Sequence, residues 1–329
     1  MKVALFLGAC VGLALFAYLL MRQGLGEIAG FVAAAGWGML LVPAFHLAPM
    51  MADTLGWWKL FPSGSRPRFS RLLWMRWLGE SVNNLLPAAQ VGGDILRARL
   101  VMLHGVPGPV AGASVVAQLT VGIFTQAAFT LLGVGLLAAR RGGQGLLAPI
   151  AGSLIIAVLL FGGFYAVQRF GLFRLLAKLA SRLRQSDGWK TILENGAAFD
   201  VEVRAVYQRK RELAMSVVWT MVGWVIGSGE IWIALWVLGA PVTFAEALIL
   251  ESLSQAVKGV MFLVPGAIGF QEGGFIVIGG ALGIPAPMAL ALSLVRRFRD
   301  IAMGVPGLFV WQMIEGRRLW IRNGATAKP

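Results

Sequence analysis

Histidine and cysteine are nearly missing from this chain of 329 residues: His46, His104 and the single Cys10 are all it has. A zinc site needs three or four His, Cys or carboxylate ligands at close spacing, and neither histidine has such neighbours. No metal site is expected. One cysteine makes no intramolecular disulfide, and Cys10 lies in an apolar run where a thiol packs. Phosphate-cradling loops are absent too, with no Walker A sequence and no strand-linked GxGxxG. The 15 acidic residues are scattered rather than paired as in Mg-dependent transferases, and Ser81, Ser252 and Ser254 lack a nearby histidine for acyl transfer. No cofactor is called for, and no catalytic machinery is visible.

Charge is equally scarce. Only 13% of residues are charged against 58% hydrophobic, and mean hydropathy is +0.76, far outside the soluble range. Several apolar runs are long enough to cross a bilayer, and no alternating short strands suggest a barrel. The fold class that follows is an all-α polytopic membrane protein of about six to eight membrane helices, one domain over residues 1–329. The formal net charge of +14 raises nucleic acid as a partner, but the basic residues fall between apolar spans, where the positive-inside rule places them. Nucleic acid is therefore not an expected partner. Anionic lipid is, since each Lys or Arg near a membrane surface contributes about 1 kcal/mol.

Residues 3–20 form an apolar run too long for a signal-peptide core and read as a retained first helix. A second span covers about 28–50, with Pro43 and Pro49 kinking its later half. Lys59, Arg66, Arg68, Arg71 and Arg76, interleaved with Trp57, Trp58, Trp74 and Trp77, then read as a cytoplasmic headgroup-level connector. Spans are expected at 108–139, 145–168 and 213–238, and a last one ends near Trp311. The basic, amphipathic stretch 169–212 reads as a cytoplasmic loop. With every basic cluster inside, both termini are cytoplasmic.

The chain also repeats itself. Pro87, Pro107 and Pro109 recur as Pro265, Pro285 and Pro287, each 178 residues on, and Asp94 with Glu272 and Gly105 with Gly283 keep that offset. The copies run over about 71–139 and 244–315. Three crossings between them make the second copy inverted, an arrangement typical of transporters with broken helices. The first entry helix, about 71–86, would rise only about 24 Å, less than the roughly 30 Å hydrocarbon core. A re-entrant helix is favoured over a full crossing, with Pro87 and Pro265 as the breakers.

Each copy carries polar residues where lipid would penalise them. Glu80, Asn83, Asn84 and Pro87 share one helix face, and Glu251, Ser254, Gln255 and Lys258 follow the same spacing. The two stripes should face each other, a cavity or water. Asp94 and Arg97 lie within pairing reach, and the candidate partners of Glu272 are Lys258, Arg296, Arg297 and Arg299. Arg296 would lie about 16 Å into the last helix, near mid-membrane, with Asp300 one turn on. Two readings stand: a structural ion pair, or arginines that grip an anionic headgroup through their planar forks. Likewise Gly92, Gly93, Gly269, Gly273 and Gly274 either permit tight helix packing or bare backbone N–H groups to a substrate.

The stretches ESVNNLLPAAQVGGDILRARL, residues 80–100, and FLVPGAIGFQEGGF, residues 262–275, resemble the two signature regions of the lysylphosphatidylglycerol synthase transmembrane, or flippase-like, family. Trp77, Gly79, Glu80, Asn83, Asn84, Pro87, Gly92, Gly93, Asp94 and Arg97 are most similar to its hopanoid-biosynthesis-associated branch. The resemblance implies a bacterial inner-membrane protein that moves a lipid between leaflets. In bifunctional members a soluble domain follows and makes an aminoacyl lipid; this sequence stops at Pro329, so synthase activity is not expected.

The expected function is thus a lipid translocase handling an anionic or modified lipid, a hopanoid if the branch holds. Arg97, Lys258 and Arg296 would hold the headgroup, and Asp94 and Glu272 would position those cations or relay protons. The whole candidate substrate-binding set is Glu80, Asn83, Asn84, Gln90, Gly93, Asp94, Arg97, Lys258, Gly269, Glu272 and Arg296. An alternative is a non-transporting scaffold that gathers lipid-biosynthesis enzymes through residues 169–212. A third reading is an intramembrane lipid-modifying enzyme.

Overall fold

A computed structural model describes residues 2–86, 92–140, 188–261 and 264–326. Pro87, Gln90, the span expected at 145–168 and the first part of the basic loop lie outside them. The described residues form eleven α-helices and three short 3-10 turns, without a strand. Where water is absent, a helix is the one segment that satisfies its own backbone, and these apolar runs adopt it.

The helices are α1 (Lys2–Gln23), α2 (Leu25–Ala35), α3 (Leu41–Lys59), α4 (Phe69–Leu85), α5 (Gly92–Leu103), α6 (Gly108–Arg140), α7 (Gly188–Gln208), α8 (Lys210–Val237), α9 (Phe244–Val260), α10 (Phe270–Ala281) and α11 (Ala286–Thr326). Among the described residues, three stretches are long and apolar enough to span a bilayer: Leu25–Lys59, Gly108–Arg140 and Lys210–Val237. The span expected at 28–50 is built differently from its sequence reading. Helix α2 gives way at Gly36, φ +49°, to the 3-10 turn Gly36–Leu40, and α3 then carries Pro49 inside an unbroken helix to Lys59. The later part of the stretch read as a polar loop is helix α7. It lays Val203 and Val206 in the interior and packs on α6, with Phe199 over Gly112.

Helix ends follow the 178-residue offset closely. Gly92 and Leu103 bound α5, Phe270 and Ala281 bound α10, and both pairs of ends stand 178 apart. After each short helix comes a glycine with positive φ, Gly105 at +89° and Gly283 at +83°. Next, the carbonyls of Pro107 and Pro285 accept the first helical bonds, from Ala111 N at 2.9 Å and Ala289 N at 3.0 Å. Lys59 and Val237, which end α3 and α8, keep the offset as well. The repeated unit is therefore four helices, α3 to α6 and α8 to α11.

Packing between the units is reciprocal. Helix α4 of the first lies on α11 of the second, α9 of the second lies on α6 of the first, and α3 lies against α8. At both crossed seams a glycine meets a serine, Gly307 against Ser81 and Gly133 against Ser252, so the backbones approach closely, as membrane helices do where small residues face. Two apolar cores result. One joins α2, α8, α9, α10 and α11 around Phe275 and Leu290, and the other joins α3 to α6 around Trp57 and Leu72.

Helix α9 begins with a full capping box: Thr243 Oγ1 accepts from Glu246 N at 3.3 Å, and Glu246 Oε2 accepts from Thr243 N at 2.7 Å. Thr243→Ala should lower thermal stability in detergent by about 1 kcal/mol, the ordinary value of an N-cap, without changing the helix order.

Candidate functional site

Seven carboxylates inside the helix assembly are held in ion pairs, one on each of seven helices: Asp53 on α3, Glu80 on α4, Asp94 on α5, Glu230 on α8, Glu251 on α9, Glu272 on α10 and Asp300 on α11. Bare carboxylates in an apolar interior are strongly unfavourable, so each has a partner.

The centre is a continuous chain of charges across four helices. Arg76 donates to Asp53 Oδ2 and to Glu80 Oε1, both at 2.8 Å. Glu80 Oε2 lies 3.3 Å from His46 Nε2, and His46 Nδ1 lies 2.7 Å from Glu230 Oε1. Glu230 Oε2 accepts from Arg299, which also donates to Asp300 at 2.6 Å. The chain borders a cleft lined by His46, Trp77, Glu80, Asn84, Arg299 and Asp300. Both signs of charge meet there.

The remaining pairs lock the helix breaks. In the first unit Asn83 Oδ1 accepts from Gly93 N at 2.7 Å, Gly79 and Gly93 bring α4 and α5 into backbone contact, and Asp94 pairs with Arg97. Arg97 also sits 5.1 Å over the ring of Trp57, which spreads its charge over the indole face. In the second unit Glu272, fully buried, accepts from Gly269 N at 2.6 Å and from two nitrogens of Arg297 at 2.9 and 3.1 Å. Arg297 reaches on to Gly266 O at 3.1 Å, so one carboxylate and one guanidinium clasp the turn that begins at Pro265. Gly269, φ +81°, lets α1 dock there: a methyl group on it would overlap the Gly12 carbonyl.

Several sequence expectations change. Arg296 pairs with Glu251 through two nitrogens, not with Asp300, whose partner is Arg299. The partner of Glu272 is Arg297. The two polar stripes do not meet directly; α4 turns its polar face to α3 and α11, and α9 turns Glu251 to α11. Spacing alone matched Glu80 with Glu251, whereas the 178-residue offset kept by the prolines and by the ends of α3, α5, α8 and α10 matches Glu80 with Lys258. The registers differ by seven residues, about two turns, so the same face is polar in either. Arg76, read as part of a surface connector, is a central member of the network with a side chain 11% exposed. Arg97 and Arg296 are each neutralised by a buried carboxylate. Lys258 is different: it has no carboxylate within salt-bridge range among the described residues.

His46, Asp53, Arg76, Glu230 and Asp300 were missed as site residues. Glu230 carried the clearest signal, as the one acidic residue between Leu213 and Leu238 in an otherwise apolar span.

These features define a polytopic helical membrane protein with a mixed-charge cleft inside its helix assembly. The chain belongs to the lysylphosphatidylglycerol synthase transmembrane region family, whose model matches residues 3–306, and so to membrane proteins of lipid metabolism or flippase type. Neither a curated protein nor a solved structure shows a significant match.

Proposed function

We propose that the protein is a lipid translocase of a bacterial inner membrane, with both termini cytoplasmic, and that the cleft between α3, α4 and α11 receives a polar lipid headgroup. The observation that carries this reading is the mixed-charge cleft, which lies in a helix assembly that also contains helices too short to cross. Helices α5 and α10 rise about 18 Å each, so the breaks bring polar backbone and side chains to membrane depth. A cleft with Glu80, Asp300 and Arg299 on its lining suits a headgroup that carries both an ammonium and a phosphate. A purely anionic headgroup would face two carboxylates there. The likeness to the hopanoid-associated branch makes a hopanoid with a polar headgroup the first alternative cargo.

Of the three cations that the residue pattern gave to the headgroup, Arg97, Lys258 and Arg296, we keep Lys258 in that role, because the other two are each paired with a buried carboxylate. Purified protein in proteoliposomes should accelerate leaflet exchange of a headgroup-labelled zwitterionic phospholipid, read with a membrane-impermeant quencher. Lys258→Met should reduce the accelerated rate about tenfold, the equivalent of one charge-assisted contact of about 1.4 kcal/mol. Exchange by Lys258→Met at the wild-type rate would remove that lysine from the headgroup site.

A further inference from the structure

The Glu80–His46–Glu230 triad has more acceptors than a neutral imidazole can serve. Glu80 Oε1 is taken by Arg76 and Glu230 Oε2 by Arg299, which leaves Glu80 Oε2 and Glu230 Oε1 facing the two ring nitrogens of His46. A neutral imidazole donates from one nitrogen only, and its other nitrogen would place a lone pair against a carboxylate lone pair. Both contacts are hydrogen bonds only when the triad holds one more proton, on the ring or on a carboxylate. We propose that this triad is a proton-binding site, and that proton binding there is coupled to movement of the lipid headgroup through the adjacent cleft.

The surroundings support a mobile proton rather than a fixed one. Side-chain exposure is 28% for Glu80, 18% for His46 and 3% for Glu230, so the triad runs from the cleft to the interior. The charged groups facing it are Arg76 and Glu80 from α4, Asp53 from its own helix α3, Glu230 from α8, and Arg299 and Asp300 from α11; α6, which also packs there, carries no charge before Arg140. Arg299 Nη1 lies 3.5 Å from His46 Nδ1 and opposes a positive ring. Carboxylates favour the extra proton and the guanidiniums of Arg76 and Arg299 disfavour it, a balance that a new charge in the cleft can tip. An ammonium placed beside Glu80 adds positive charge at the open end of the triad and expels the proton to water. Lipid and proton would then move in opposite directions. This coupling rests on the translocase reading; the proton site itself does not.

Two measurements separate them. With His46 and His104 the only histidines, ¹⁵N-histidine NMR of the detergent-solubilised protein at neutral pH, assigned with His104→Gln, reports how many His46 nitrogens carry a proton. Infrared absorption of protonated carboxyl groups, compared with Glu80→Gln and Glu230→Gln, reports the other location. Two N–H groups on His46, or a carboxyl band that one of these variants removes, is the expected result. A singly protonated His46 with no such band overturns the proton site. In proteoliposomes an imposed pH gradient should change wild-type lipid exchange several-fold, with the effect inverted when the gradient is reversed. The ratio of rates with and without the gradient should fall to one in His46→Gln, whose amide can still donate and accept. Measurable wild-type exchange with a ratio of one overturns the coupling. Absence of any exchange counts against the translocase reading, and the spectroscopic result then decides the proton site alone.

Discussion

Gly93→Ala should leave little folded protein. The single methyl group would occupy the position of the Gly79 carbonyl and press on the Asn83 amide carbon at 2.8 Å, both within the contact that joins α4 to α5. Neither can withdraw. The Gly79 carbonyl is fixed by its helix, and Asn83 is held by its bond to Gly93 N. Overpacking a filled interior costs about 1–3 kcal/mol where neighbours can shift, and at a backbone contact it should reach or exceed the top of that range. Expression in membranes followed by size-exclusion chromatography in detergent tests this. A monodisperse peak of wild-type height would mean that α4 and α5 do not approach as described. Gly273→Ala is the matched control, because no atom lies within 4 Å of a methyl group built there, and it should behave as wild type.

That contrast bears on how much of the molecule was legible in the sequence. The helical membrane class and the repeat could be read directly, since apolar length and proline spacing are local properties of the chain. Proline and glycine positions set the short helices because Pro107 and Pro285 begin the helices that follow and Gly105 and Gly283 take left-handed backbone at the ends before them. Gly93 and Gly273 look alike in sequence, each in a GG pair, yet only one is in backbone contact with another helix. Crossing geometry decides this, and no local pattern records it.

Ion-pair partners were the least legible part. Helix periodicity says which residues share a face, so Asp94 with Arg97 could be found at i, i+3. Pairs between helices depend on crossing angle and rotation. Glu251 and Arg296 are 45 residues apart, and Glu230 and Arg299 are 69 apart. Arg296, Arg297 and Arg299 differ by one to three residues, about 100° of rotation per step, and therefore serve three different carboxylates on three different helices. A lone acid in an apolar span still signals a partner elsewhere, and applied to Glu230 that rule leads into the network.

Replacing one member of the Glu251–Arg296 pair should be far more harmful than replacing both. Their side chains are 4% and 6% exposed, and the two guanidinium nitrogens bonded to the carboxylate neutralise it fully. Arg296→Met leaves Glu251 charged in the interior with only the Gln255 amide, at 2.7 Å, to satisfy it. Breaking such a pair costs about 3–5 kcal/mol, whereas exchange of both partners for apolar residues of similar volume is often neutral. The Glu251→Leu/Arg296→Met double variant should therefore unfold in detergent near the wild-type temperature, while each single variant unfolds well below it. The same three proteins decide what Arg296 does. If it gripped the lipid headgroup, the double variant would be stable but unable to exchange lipid. Because its charge is already matched inside the protein, whereas Lys258 has no close carboxylate among the described residues, the double variant should exchange lipid at close to the wild-type rate in proteoliposomes.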